Sequence, residues 1–124
     1  MYELKIKTEF SSAHNLRGYE GACESLHGHN WHVEVYVRSS KLNDIGLALD
    51  FKELKKHTNE IMDELDHRYL NELDAFKEVN PSSENLAKYI FEELERKIGT
   101  GDVAVSKITV YESKNSAASY YKEG

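Results

Sequence analysis

One cysteine and one proline are all that this 124-residue sequence holds of either residue. The lone Cys23 excludes an internal disulfide and fits a reducing compartment. No apolar run approaches the roughly 20 residues of a membrane-spanning helix. The N-terminal stretch has no signal-peptide core, so a cytoplasmic protein is expected. A basic block is missing as well, and the net charge of −6 argues against generic nucleic-acid binding. An anionic ligand would need a local basic pocket against that overall field. Neither a Gly-x-Gly-x-x-Gly nor a Gly-x4-Gly-Lys element is present, nor is the nucleophile elbow of a serine hydrolase. Internal repeats and low-complexity tracts are absent. What remains is 40% hydrophobic and 31% charged, the profile of a soluble globular protein with one domain over residues 1–124.

Two alternating stretches organise the protein. Trp31 to Arg38 reads as a strand with Trp31, Val33, Val35 and Val37 on one face. Stepping back by twos along that face reaches His29 and then His27, about 6–7 Å apart along the backbone. Tyr2 to Phe10 also alternates, with Leu4, Ile6 and Phe10 on one face, and the same parity continues through Ser12 to His14. If these strands pair antiparallel, His14 meets His27 and His29 at one end of the sheet. Three neutral imidazoles leave a tetrahedral zinc one open position, as in catalytic rather than structural sites. His32 and His57 fall outside the pattern and receive no role.

Between the strands, residues 15–22 form a glycine-punctuated loop that carries Cys23 to the mouth of the second strand. After a turn-rich connection, Asp50 and Glu53 make a capping box for a helix. Its buried stripe is expected at Phe51, Leu54, Thr58, Ile61, Met62 and Leu65. Asn71 to Pro81 reads as a polar linker. Ser82 or Ser83 then caps a second helix, with Leu86, Ala87, Ile90, Phe91, Leu94 and Ile98 inward and Gly99 and Gly101 at its end. Val103 to Tyr111 and Ala117 to Lys122 are the third and fourth strands. The order strand-strand-helix-helix-strand-strand specifies an α+β fold with an antiparallel sheet and helices on one face. Its two bare edges favour closure of several copies into a barrel.

Three further features can carry chemistry. Cys23 lies four positions before His27, where a nearby dication would favour its thiolate as base or nucleophile; as a fourth zinc ligand it would instead close the site. Asp66-His67, at the end of the first helix, is an acid beside an imidazole that it could orient and tune as a proton donor. Glu112 continues the parity of Ile108 and Val110 onto the apolar face, where a carboxylate needs a cationic or amidine-like partner; a strand that ends earlier leaves it solvated.

Jointly, His14, Cys23-x3-His27-Gly28-His29, Asp50-Phe51, Asp66-His67, the stretch Asn80 to Leu86, and Glu112 resemble the 6-pyruvoyltetrahydropterin synthase and 6-carboxytetrahydropterin synthase family over nearly the whole length. The resemblance implies the tunnelling fold, in which sheets close into a trimeric barrel and two trimers stack into a hexamer with active sites between subunits. It implies zinc on His14, His27 and His29, proton transfer by Cys23, Asp66 and His67, and a pterin held by Glu112 with Ser82 and Ser83 beside its ring. The implied substrate is 7,8-dihydroneopterin triphosphate. Three residues between cysteine and His-Gly-His match the lyases that form 6-carboxy-5,6,7,8-tetrahydropterin on the way to queuosine. A longer gap is usual in the pyruvoyl-forming enzymes. Glu24 marks a branch that cleaves the side chain to 6-hydroxymethyl-7,8-dihydropterin for folate, and here it follows Cys23 directly. Trp31 stands where Phe or Tyr is usual, and Ser82 where Thr is usual. A metal-stabilised pterin-binding oligomer without turnover is the non-enzymatic alternative. Arg17 and several lysines are available to a triphosphate, and no spacing singles one out.

Overall fold

The computed structural model describes residues 1–18 and 26–123, with the backbone alone for His27. Cys23, Glu24 and the side chain of His27 lie outside the described residues. The alternating stretches form β1 (Tyr2–His14) and β2 (His27–Ser39), paired antiparallel with Phe10 opposite Trp31, Ser12 opposite His29 and His14 opposite His27. β3 (Val103–Ser113) joins the other side of β2, and β4 (Ser116–Tyr120) pairs with β3, giving the order β1-β2-β3-β4. β3 runs two residues past the expected Tyr111. β4 occupies Ser116–Tyr120 rather than Ala117 to Lys122.

Both helices cover the face to which Ile6, Phe10, Trp31, Val33, Ile108 and Val110 point. Helix α1 (Phe51–Leu65) starts at Asp50, whose carboxylate accepts the Lys52 N–H at 2.8 Å. Leu54, Thr58, Ile61, Met62 and Leu65 are buried as the spacing requires, but Phe51 is 46% exposed. A helical stripe is buried only where another layer lies over it, and among the described residues none covers the first position of α1. Helix α2 (Ser83–Ile98) is capped by Ser82, which accepts the Asn85 N–H at 3.1 Å. Its expected inward face is buried throughout. Each fully buried leucine or isoleucine of these faces contributes about 1.5–3 kcal/mol of transfer free energy. Gly99 is the C-cap of α2, where a Cβ would sit 2.5 Å from the Glu95 carbonyl oxygen and only a residue without a side chain fits unchanged.

The segment between the helices is not a mere polar linker. It folds into two short 3-10 turns, Leu70–Glu72 and Asp74–Phe76, and buries Leu70, Asn71 and Phe76. The opposite face of the sheet is polar. There Lys5 Nζ lies 3.3 Å from the Glu34 carboxylate, and the hydroxyls of Tyr36 and Tyr111 donate to it at 3.4 and 3.3 Å. Among the described residues no helix is long and apolar enough to cross a membrane.

Candidate active site

The register of β1 and β2 carries polar side chains onto the apolar face at one end of the sheet. His14 continues the parity of Ile6 and Phe10 and is 1% exposed. Its Nδ1 lies 2.8 Å from the carbonyl oxygen of Pro81. A carbonyl only accepts, so Nδ1 carries a proton, and in the neutral imidazole Nε2 is then the nitrogen that keeps the lone pair. His29 stands beside it, with ring centroids 5.1 Å apart. Glu112 completes the group. A β-bulge between Tyr111 and Ser113 leaves it without a partner on β4, the kind of irregularity that re-aims a side chain. Its two carboxylate oxygens lie 3.9 Å from His14 Nε2 and from His29 Nε2.

These separations are too long for hydrogen bonds. All three ligand atoms nevertheless lie within 4.8 Å of one another. A cation held at about 2.0–2.2 Å from each could join them after a small shift of the side chains. Two imidazoles and a carboxylate are a donor set suited to a divalent first-row metal. The donor set and the fixed His14 tautomer therefore fit a metal. His27 faces His14 in the register, so its backbone position also belongs to this end of the sheet.

The floor of the site is Trp31, which its alternation places on the apolar face without marking a role. It is fully buried, and both imidazoles stand edge-on to its ring, with centroids 4.8 Å away for His14 and 5.1 Å for His29. Its indole N–H donates to the Ser12 carbonyl at 3.3 Å. Ser12 in turn bonds the Leu65 carbonyl through its hydroxyl, tying β1 to the end of α1. The Pro81 carbonyl is a second contributor; the sequence marks Pro81 only as part of the stretch Asn80 to Leu86, with nothing to indicate this bond.

Asp66 and His67 lie elsewhere, along the outer edge of β1. Asp66 accepts the Ser11 N–H at 2.8 Å and stands 2.8 Å from His67 Nδ1, while the His67 backbone N–H donates to the Ser11 carbonyl at 2.6 Å. His67 has a φ of 54° and a side chain 82% exposed. A non-glycine residue in the left-handed region is held there by its surroundings. Here the two strand-edge bonds on either side supply the constraint. Ser82 is engaged as the α2 cap, and Ser83 beside it is buried; both follow directly on Pro81. Arg17 is engaged as well: its Nη2 donates to the carbonyls of Phe76 at 2.6 Å and Asn71 at 3.2 Å. His32 and His57 pair with Glu9 and Glu60, at 3.3 and 3.1 Å.

The sequence model described as 6-pyruvoyl tetrahydropterin synthase matches residues 3–123. The chain belongs to the 6-pyruvoyl tetrahydropterin synthase family. A 6-carboxy-5,6,7,8-tetrahydropterin synthase from Synechocystis is 38% identical, over 98% of this chain and 94% of the relative. A dihydroneopterin monophosphate aldolase from Pyrococcus furiosus is 34% identical, over 86% of this chain and 85% of the relative. The solved structure of 6-pyruvoyl tetrahydropterin synthase from Caenorhabditis elegans superposes with a TM-score of 0.87 at 27% identity, over 98% of this chain and 96% of that one. The α+β sheet-and-helix arrangement of this 6-pyruvoyl tetrahydropterin synthase family member is thus the fold of the family.

The acid at position 66 has a pH consequence. The Ser11 N–H, then His67, hold its carboxyl below the ordinary value of 3.8. A carboxyl with a depressed folded pKa contributes stability that is present above its unfolded pKa and lost as pH falls through the folded one. Asp66→Asn should therefore flatten the acid limb of the stability profile below about pH 4. Denaturant titrations at a series of pH values, giving superimposable acid limbs for both proteins, would refute this.

Proposed function

We propose that this protein converts 7,8-dihydroneopterin triphosphate to 6-carboxy-5,6,7,8-tetrahydropterin, releasing acetaldehyde and triphosphate, as a zinc-dependent lyase of queuosine biosynthesis. The observation that carries this reading is the group of His14, His29 and Glu112, with ligand atoms within 4.8 Å of one another and the His14 tautomer set by Pro81. The Synechocystis relative supports the choice of product. In the overall change the C1′–C2′ bond breaks and one water enters. The oxidation of C1′ to a carboxylate is balanced by reduction of the ring and of the terminal carbon that loses triphosphate.

His14, His27 and His29 would hold the zinc, whose Lewis acidity would make the substrate's C–H bonds next to bound oxygens more acidic. Glu112 would accept the paired N–H donors of the guanidine-like pterin edge, a bidentate match for a carboxylate. Ser82 and Ser83 would flank the ring. Cys23 would take a proton as thiolate, and His67, oriented by Asp66, would give or take another. The outer-edge position of Asp66 and His67 supports a site shared between subunits of a closed hexamer, because the rest of the β1 edge is bare among the described residues.

A second reading has its own support. Glu24 beside Cys23 and the Pyrococcus relative favour cleavage to 6-hydroxymethyl-7,8-dihydropterin, with Glu24 deprotonating the substrate's side-arm hydroxyl in a retro-aldol step. One experiment separates these readings. Size-fractionated protein is incubated with dihydroneopterin triphosphate and the products are identified by mass spectrometry. The hexamer fraction should yield mainly the carboxy product, and Glu24→Gln should remove any hydroxymethyl product while sparing the rest. A pyruvoyl product would replace the first reading. No turnover would leave a metal-stabilised binding protein, and full activity in a monomer fraction would overturn the shared site.

A further inference from the structure

We propose that the side-chain amides of Asn71 and Asn80 are positioning residues, standing in for a neighbouring strand along β1 and so holding His14 and the start of the segment that leads to Cys23. Only at its C-terminal end is the outer edge of β1 satisfied, at alternate residues. Ser11 bonds Asp66 and His67, and the Ala13 N–H donates to the Arg68 carbonyl at 3.0 Å. Beyond the strand the same parity continues with side chains in place of backbone. The Asn15 N–H donates to Asn71 Oδ1 at 3.0 Å, and Asn71 Nδ2 donates to the Asn15 carbonyl at 2.9 Å. The Arg17 N–H donates to Asn80 Oδ1 and Asn80 Nδ2 donates to the Arg17 carbonyl, both at 3.0 Å.

A carboxamide carries the same donor and acceptor pair as a peptide group, so each asparagine closes a two-bond ring as a paired strand would. The second ring also bears on the site. Asn80 precedes Pro81, whose carbonyl receives His14 Nδ1–H. The Asn80 carbonyl is itself fixed by Asn85 Nδ2 at 2.9 Å, on the helix that Ser82 caps. Shifting Asn80 therefore shifts the acceptor that sets the tautomer of His14.

Asn80→Asp keeps the acceptor and turns the donor into a second acceptor facing the Arg17 carbonyl. Asn80 is only half-buried, so the variant should fold; if it does not, Asn80→Ala removes both the donor and the acceptor without added charge. Nitrogen NMR of the metal-free protein should show the Nδ1–H tautomer of His14 in the parent and a tautomer mixture in either variant. Chelator competition should show zinc bound about 10–100-fold more weakly, the usual cost of losing outer-shell support. Asn43→Asp is the control, since this amide caps a distant turn through the Ile45 and Leu47 N–H groups at 3.0 and 2.9 Å, and should change neither readout. The zinc readout rests on His14 being a ligand, whereas the tautomer does not. Parent protein that takes up no zinc would count against the metal reading, and the tautomer would still decide this one. An unchanged tautomer in both Asn80 variants would overturn it.

Discussion

Replacing His29 by alanine should strip the protein of metal and activity together, whereas replacing Cys23 should remove activity and leave the metal. His29 Nε2 and His14 Nε2 both lie 3.9 Å from the Glu112 carboxylate, and no other described His, Cys, Asp or Glu group converges in this way. Losing one of a small number of ligands should cost about 3–4 kcal/mol of binding, two to three orders of magnitude in affinity. Elemental analysis after dialysis should find roughly one zinc per protomer in the parent. His14→Ala and His29→Ala should retain almost none. Cys23→Ala should keep its zinc while product formation falls by at least about a hundredfold, the scale of proton-transfer catalysis. Glu112→Gln separates its two possible duties. If Glu112 grips the pterin edge, the variant keeps its metal and its KM rises; loss of metal would make Glu112 a ligand instead. Full zinc retention in both histidine variants would remove the site altogether.

The reach of the sequence differs from element to element. His14, His29 and Glu112 are legible because each lies on a strand whose alternation assigns it a face, and the three strands share one apolar side. The helical stripes are legible for the same reason, except at Phe51, where periodicity marks a face and not whether anything covers it. Leu70 and Phe76 are illegible, because 3-10 turns of three residues have no period long enough to read. The longest-range contributors leave the least trace. The Pro81 carbonyl that fixes His14 is backbone, 67 residues away in sequence. Asn71 looks like an ordinary loop asparagine, and Asn80 stands out only as the first residue of a family-like stretch, until the fold brings them beside residues 15 and 17. Arg17, one of the cations the sequence offers to an anionic substrate, proves to donate to the carbonyls of Asn71 and Phe76.

Trp31→Ala should cost about 3–5 kcal/mol of folding free energy, the range for emptying a buried aromatic position. Against the roughly 5–15 kcal/mol of a typical domain, that is at least about a fifth of the total. The indole is fully buried, lies nearly parallel to Phe10 at 6.0 Å and 13°, and supports both imidazoles edge-on. The cavity would open directly beneath His14 and His29, so metal affinity should fall with stability. Trp31→Phe keeps a ring in place but leaves the Ser12 carbonyl without its indole donor, which should cost about 1–3 kcal/mol. Denaturant unfolding of metal-free protein, with protomer concentration held fixed because assembly contributes to apparent stability, measures the first effect. Chelator competition on the folded variants measures the second. A Trp31→Ala protein within about 1 kcal/mol of the parent would mean that the core closes over the gap. One that is destabilised yet binds zinc as tightly as the parent would make Trp31 a core residue that does not organise the imidazoles above it.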